Sequence, residues 1–169
     1  WAPDYHPSPF HFPEPVLAMG AEIKSAFAVA AGEQLFISQY LGDQSVYESQ
    51  EAYDHTLLHL LRMLAIHPRS IITDLHPQYF VTERGRELAD EWLVPVQTVQ
   101  HHEAHFAAVL AENGLLFTDT PVLGIIWDGN GYGTDGHSWG GECFLFEQGS
   151  FDRLLHLVYF PLLQGDSMG

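Results

Sequence analysis

Three histidines fall within five residues in Gln100-His101-His102-Glu103-Ala104-His105, and one carboxylate, Asp128, heads the run Trp127-Asp128-Gly129-Asn130-Gly131-Tyr132-Gly133. Imidazole nitrogen and carboxylate oxygen are donors that zinc and iron accept. His101 and His105 stand four residues apart, so a helix starting near His101 projects them from one face, one turn apart. Asp128 suits a hard anionic ligand. The glycines after it let backbone N–H groups of Gly129, Asn130, Gly131, Tyr132 and Gly133 turn toward an anion such as phosphate. The two runs are read as halves of one metal and phosphate site, with metal ligands His101, His105 and Asp128. His102 then serves as an orienting partner behind the ligands. The helical zinc-protease pattern His-Glu-x-x-His has a different spacing, and His102-Glu103-Ala104-His105 does not meet it. The plain alternative is that the histidines cap or line the helix and satisfy backbone groups.

Other residues carry two readings each. Lys24 lies in the small-residue turn Gly20-Ala21-Glu22-Ile23-Lys24, where it either reaches a phosphate or is an exposed hairpin lysine. Asp74-Leu75-His76-Pro77-Gln78-Tyr79 is a site loop at the C-terminal end of a strand, or a turn stabilised by Asp and Pro. His55 and His59 share a helix face at ligand spacing but lack a nearby carboxylate loop, so a surface role is expected. The single Cys143 excludes an internal disulfide and a cysteine-based zinc module, and reads as a buried strand residue.

The elements that must position these groups follow from pattern. Residues 1–15 hold five prolines and are read as a linker, with His6 and His11 exposed. Val16–Met19, Ser25–Ala30 and Leu35–Tyr40 are strand candidates, the last two joined by a hairpin loop at Ala31–Gln34. Ser45-Val46-Tyr47-Glu48 has capping-box spacing and starts a helix on which Tyr53, Leu57, Leu60, Leu61 and Leu64 share a face. Pro68 ends it. Ser70–Asp74 is a buried strand, Phe80–Trp92 a helix with its charges on one side, and Val94–Val99 the next strand, whose proline suggests an edge position or the strand's beginning. The histidine run opens the next helix, which Gly114 terminates. Val122–Trp127, Ser138–Phe146 and Arg153–Phe160 are three further strands, the first two joined by the glycine-rich loop 128–137. The fold class is α/β: a lobe of mixed sheet and helices over residues 16–120, and the first strands of a second, incomplete lobe over 121–169.

The 169 residues suffice for a buried core, and 46% hydrophobic content is that of a globular chain. A formal charge of -16 with only six Lys and Arg argues against gripping nucleic acid. No apolar run is long enough to span a bilayer, and Trp1-Ala2-Pro3-Asp4 does not read as a signal peptide, so no membrane and a cytoplasmic location are expected.

Several ordered stretches together resemble one family. Val99 to His105, Trp127 to Gly136 and Trp139-Gly140-Gly141-Glu142 are similar to the C-terminal carbamoyltransferase region of the HypF hydrogenase maturation proteins. So are Gly20 to Lys24, Ser38-Gln39-Tyr40-Leu41-Gly42-Asp43 and Asp74 to Tyr79. The resemblance runs from about residue 16 to the end. Where that family reads His-His-His-Ala-His, Glu103 replaces the middle histidine and leaves the outer ligands in place. The resemblance implies an actin-like ATPase (RNase H-like) fold, shared with the TsaD family of tRNA-modifying proteins and with antibiotic O-carbamoyltransferases. It implies ATP and carbamoyl adenylate as nucleotide ligands, and His101, His105 and Asp128 as ligands of a divalent metal, zinc or iron. It places nucleotide phosphate against Gly129 to Gly133. It further implies transfer of a carbamoyl group to the C-terminal cysteine of a HypE partner, on the route to the cyanide ligands of nickel–iron hydrogenase. Other HypF domains would be partners, and a further metal ligand would come from the second lobe. On that reading the chain alone is expected to lack full carbamoyltransferase activity. Two readings compete: an O-carbamoyltransferase for small hydroxyl compounds, and a catalytically silent nucleotide- or metal-binding module.

Overall fold

A computed structural model describes residues 3–159. The chain divides into two compact units, Trp1–Val99 and Gln100–Gly169, each with its own sheet.

The first unit is built on a four-stranded mixed sheet in the order β2-β1-β3-β4. Its strands are β1 (Asp4–Ala18), β2 (Ala28–Ile37), β3 (Ser70–Asp74) and β4 (Val96–Val99). β1 and β2 are antiparallel, whereas β3 runs parallel to both β1 and β4. Two helices, α1 (Tyr47–Leu64) and α2 (Phe80–Trp92), supply much of the rest of its core, with Met19, Phe27 and Leu41 from the connections. The apolar stripe read from α1 is the buried one: Tyr53, Leu57, Leu60 and Leu61 face inward. The Tyr53 hydroxyl donates to the Met19 carbonyl at 2.6 Å, which gives a buried polar group its partner at the end of β1. Arg84 of α2 grips both carboxylate oxygens of Asp54 on α1, at 2.7 and 2.9 Å.

Four expectations give way in this unit. The proline-rich start is not a free linker, since β1 pairs with β2 from Asp4 onward. Prolines are tolerated there because β3 joins β1 only at Val16–Ala18, and the register slips twice between Pro7 and Val16. Ala31–Gln34 is not a hairpin loop but lies inside β2, with Gly32 at φ +59° opposite one of those slips. Ser45 does not cap α1. It binds back to Asp43 through its N–H and its hydroxyl, and Val46 takes the N-cap position without a side-chain bond. Lastly, β4 begins at Val96, because Pro95 has no N–H for the ladder, although its carbonyl accepts from Ile71. Its edge position is as expected.

The second unit carries a three-stranded antiparallel sheet, β5 (Val122–Tyr132), β6 (Ser138–Glu147) and β7 (Ser150–His156), and helix α3 (His101–Glu112). β6 and β7 are joined by Gln148 and Gly149, both at positive φ, the pairing a tight hairpin of this twist requires. β7 starts three residues before its expected beginning and ends at His156; of the expected strand end, Phe160 lies outside the described residues. Phe106 and Leu110 of α3 pack with Ile126, Trp139, Phe144 and Phe146 of the sheet. Those contacts group α3 with the second unit, although the sequence reading places it in the first lobe. No helix among the described residues is long and apolar enough to cross a membrane.

Helix α2 meets the first sheet at Gly85, where an added Cβ would lie 2.5 Å from Thr73 Cγ2 and 3.0 Å from Met19 Cγ. Thr73 is buried and β-branched, so it has little freedom to move aside. Gly85→Ala is therefore expected to lower stability by about 1–2 kcal/mol, overpacking outweighing the better helix propensity. The urea midpoint of the two proteins measures it, and an unchanged or raised midpoint contradicts this packing.

Candidate metal centre

Helix α3 sorts its histidines by face. His102, Phe106 and Leu110 recur every four residues and are buried against the sheet. His101 and His105 form the neighbouring stripe, half-buried and exposed respectively. The helix begins where it does because Gln100 caps it, its side-chain oxygen accepting from the backbone N–H groups of His102 at 2.7 Å and Glu103 at 3.0 Å. Glutamine is not a favoured N-cap, and nothing in the sequence marked it for this role.

The carboxylate arrives from β5 by ordinary strand alternation, and the parity changes just after it. Gly124, Ile126 and Asp128 share the inward face. Between Trp127, opposite Gly141, and Gly131, opposite Trp139, β5 advances four residues while β6 advances two. After this bulge the inward position passes to Gly131. Bulges commonly re-aim a side chain in this way. Two close approaches make room for it. The Phe106 ring lies where a Gly124 Cβ would be, and His102 Cε1 would lie 2.5 Å from a Cβ on Gly131.

The outcome is a convergence of three donors. Asp128 Oδ2 lies 3.0 Å from His101 Nε2 and 3.2 Å from His105 Nε2, and the two Nε2 atoms are 3.2 Å apart. Metal–ligand bonds of about 2.0–2.1 Å at tetrahedral angles place donors about 3.3 Å apart, so this triangle fits a small divalent ion. Hydrogen bonding alone accounts for the triangle less well: each imidazole can present one Nε2 proton at most, and two like atoms face one another. His102 lies behind, with Nε2 4.0 Å from the same carboxylate oxygen. Burial by itself pushes the Asp128 carboxyl up. The Gly129 N–H at 2.6 Å and the three imidazoles outweigh it and hold the group below its ordinary value, as an anion. Burial, followed by the neighbouring His101, lowers His102 and keeps it neutral. Clefts of about 500 Å³, lined by His105, Val109, Ile125 and Trp127, and about 260 Å³, lined by Gly129, Trp139, Gly140 and Tyr159, both reach Asp128.

The expected glycine-rich loop is a correction. Gly129 to Tyr132 belong to β5, and the turn is shortened to 133–137. Gly131 and Tyr132 are in register with Trp139 and Ser138. The Gly133 N–H binds the His137 carbonyl at 2.8 Å, and the Asn130 side chain accepts from the Ser138 hydroxyl. The run is a bulged strand rather than an open phosphate nest, because its glycines are used for close packing on His102 and Trp139. Gly129 alone of the three faces open space. Lys24 is exposed in the connection between β1 and β2 of the other unit. In that unit the Asp74 carboxylate accepts from the His76 N–H at 2.8 Å, a local turn of the kind Asp supports, and His55 stacks on His59 at the surface. Cys143 is half-buried in β6.

Sequence reasoning also missed a polar hub on the sheet. Arg153 Nε bonds the buried Glu142 at 2.7 Å, and its guanidinium lies 3.7 Å over the Trp139 ring. Asp135 accepts from Trp139 Nε1 at 2.9 Å and from the His137 N–H at 3.0 Å, and pairs with Arg153 at 3.3 Å. Asp135 meets His137 and Trp139 within its own turn, whereas Arg153 meets Glu142, Trp139 and Asp135 only through strand register, which leaves no local signal.

A sequence model described as "HypF Kae1-like domain" matches residues 11–112, and one described as "Carbamoyltransferase, Kae1-like Domain, second subdomain" matches 124–169. The chain belongs to the HypF family. It is 44% identical over 151 residues to carbamoyltransferase HypF2 of Cupriavidus necator, covering 89% of this chain and 18% of that one. With carbamoyltransferase HypF of Synechocystis the identity is 40% over 163 residues, covering 94% and 20%. The HypF structure of T. kodakarensis superposes with TM-score 0.87 at 40% identity, over 98% of this chain and 21% of that one. A full-length HypF in a phosphate- and nucleotide-bound form gives 0.84 at 32%, over 94% and 20%. The chain thus spans about a fifth of the length of these HypF proteins. YeaZ from Pseudomonas aeruginosa, at TM-score 0.55, 15% identity and coverage of 83% and 64%, shares the fold. The mixed α/β, actin-like fold expected from sequence is therefore the one observed.

Two outcomes are expected here. His101→Ala and Asp128→Ala should each lose bound divalent metal, measured by elemental analysis after purification; metal contents equal to wild type in both would remove this assignment. Burial raises the Asp135 carboxyl, but its hydrogen bonds with Tyr159, His137 and Trp139, and the nearby Arg153, bring it well below the ordinary value. Its stabilising contribution is therefore present above the unfolded carboxyl's pKa and lost as pH falls below it. Asp135→Asn should melt lower than wild type at neutral pH, with the gap closing below about pH 4.

Proposed function

We propose that the chain forms the metal- and nucleotide-handling part of a HypF-type carbamoyltransferase that moves a carbamoyl group from carbamoyl adenylate to the C-terminal cysteine of a HypE-like acceptor, toward cyanide ligand synthesis for nickel–iron hydrogenase. One observation carries the reading: His101, His105 and Asp128 converge in a chain of the HypF family. In the transfer, the acceptor sulfur forms a bond to the carbamoyl carbon. The bond from that carbon to the adenylate's phosphate oxygen breaks, AMP leaves with the bonding electrons, and the thiol gives up its proton.

The chain's own residues would act by holding and orienting. His101 and His105 offer imidazole nitrogens, and the ionised Asp128 offers an anionic oxygen. A bound zinc or iron ion would supply Lewis acidity toward the adenylate's phosphate. Gly129, with open space beside it, and the exposed Asn130 are the members of the run Gly129–Gly133 best placed for a phosphate, since Gly131 and Gly133 are occupied by their neighbours. The exposed Lys24 of the first unit is proposed as a phosphate contact in its own right. A full-length relative in a phosphate- and nucleotide-bound form supports nucleotide binding by the family. Other domains of the longer protein would supply the adenylate, and a cytoplasmic site of action fits the reading.

The test uses the longer protein containing this segment, with carbamoyl phosphate and ATP, and offers either a HypE acceptor or small alcohols. Carbamoyl transfer to the acceptor cysteine, abolished by Asp128→Ala, is the expected result. Transfer to alcohols alone would make it a small-molecule O-carbamoyltransferase. Nucleotide and metal binding without any transfer would make it a silent binding module.

A further inference from the structure

We propose that Gln100 and His102, neither of them a ligand, are the positioning residues of the metal centre: Gln100 decides which nitrogen of His102 carries the proton, and His102 presents that N–H to Asp128. The proposal rests on the metal reading above.

The Gln100 amide cannot be turned over. Its oxygen accepts from the N–H groups of His102 and Glu103 at 2.7 and 3.0 Å. Its nitrogen therefore faces the other way, where the Tyr132 carbonyl lies at 3.1 Å and His102 Nδ1 at 3.2 Å. An amide nitrogen only donates, so Nδ1 accepts and the proton of the neutral ring sits on Nε2. A protonated Nε2 has no lone pair for a metal. His102 is thus withheld from ligation, although it stands between two ligands in sequence.

What remains for it is to donate. His102 is fully buried, and its Nε2 has no hydrogen-bond partner among the described residues. The carboxylate oxygen beside it, Asp128 Oδ2 at 4.0 Å, is the one that also meets His101 and His105. The ring has nowhere else to go. Gly131 lies against Cε1 and Nδ1, and the Trp139 ring is stacked with it at a centroid distance of 6.3 Å. At 4.0 Å the two are not hydrogen-bonded; a buried N–H without an acceptor is costly, and closing that gap would draw the carboxylate and bias its orientation. The same glutamine also ties the start of α3 to the far side of the β5 bulge through Tyr132, so ligand helix and ligand strand are registered by one side chain.

The test has two readouts on the full chain. Long-range proton–nitrogen NMR correlation of the imidazole rings without metal should find His102 as the Nε2–H tautomer. Gln100→Glu keeps an oxygen for the helix cap but cannot donate to Nδ1, so it should shift His102 to the Nδ1–H form. Competition with a chromophoric chelator should then show zinc affinity lowered about 10–100-fold in Gln100→Glu and in His102→Phe, and lost in Asp128→Ala. A wild-type His102 found as Nδ1–H overturns the proposal. So does wild-type zinc affinity in Gln100→Glu and His102→Phe while Asp128→Ala loses the metal, an outcome that leaves the metal reading standing. Unchanged zinc binding in Asp128→Ala overturns both. The wild-type tautomer decides the matter even where His102→Phe does not fold.

Discussion

The second unit depends on the approach of one carboxylate to two imidazoles. Asp128 reaches His101 and His105 because strand alternation puts it on the inward face of β5, and because Gly124 and Gly131 on that face lack side chains. Gly124 admits the ring of Phe106, which sets α3 down on the sheet, and Gly131 admits His102, which fills the space behind the carboxylate. If α3 were held farther from β5, the donors would part, and the ionised Asp128 would lose the neighbours that offset its partial burial.

The sheet beneath the centre is held by charges it can afford only because they are paired. Glu142 is buried yet accepts from Arg153 and from the N–H groups of Gly140 and Gly141. Asp135 ties the β5–β6 turn to Trp139, and the Arg153 guanidinium lies over the same indole. Breaking one partner of such a set leaves another charge unsatisfied. The motif around Trp139 to Glu142 is accordingly structural in its contacts, even though it lies along a cleft that reaches Asp128.

The first unit shows the same economy in apolar form. Its parallel strands β3 and β4 and helix α2 form a strand–helix–strand unit, and Gly85 lets the helix approach β3 closely. Tyr53 packs edge-on against Phe27 and Phe80 while its hydroxyl caps the end of β1. This is an α/β core whose helices are fixed by contact with the sheet rather than by capping, since neither α1 nor α2 has a side-chain N-cap bond.

The amino-acid sequence by itself determined the helices almost to the residue, because a 3.6-residue apolar period is a local property: Phe80–Trp92 and the stripe Tyr53, Leu57, Leu60, Leu61 were legible at once. It also picked out His101, His105 and Asp128 as a set, since helical spacing and donor type are readable without a fold. Tertiary structure decided the rest. Proline-rich residues became a paired strand because only a partner strand reveals which N–H groups the ladder needs. The glycine-rich run became a bulged strand because its glycines answer to bulky rings distant in sequence. The place of Gln100 came from contacts across 32 residues to Tyr132, a long-range pairing that no local pattern encodes. Spacing along a chain fixes what is close within one element; which elements meet depends on the packing of all of them together.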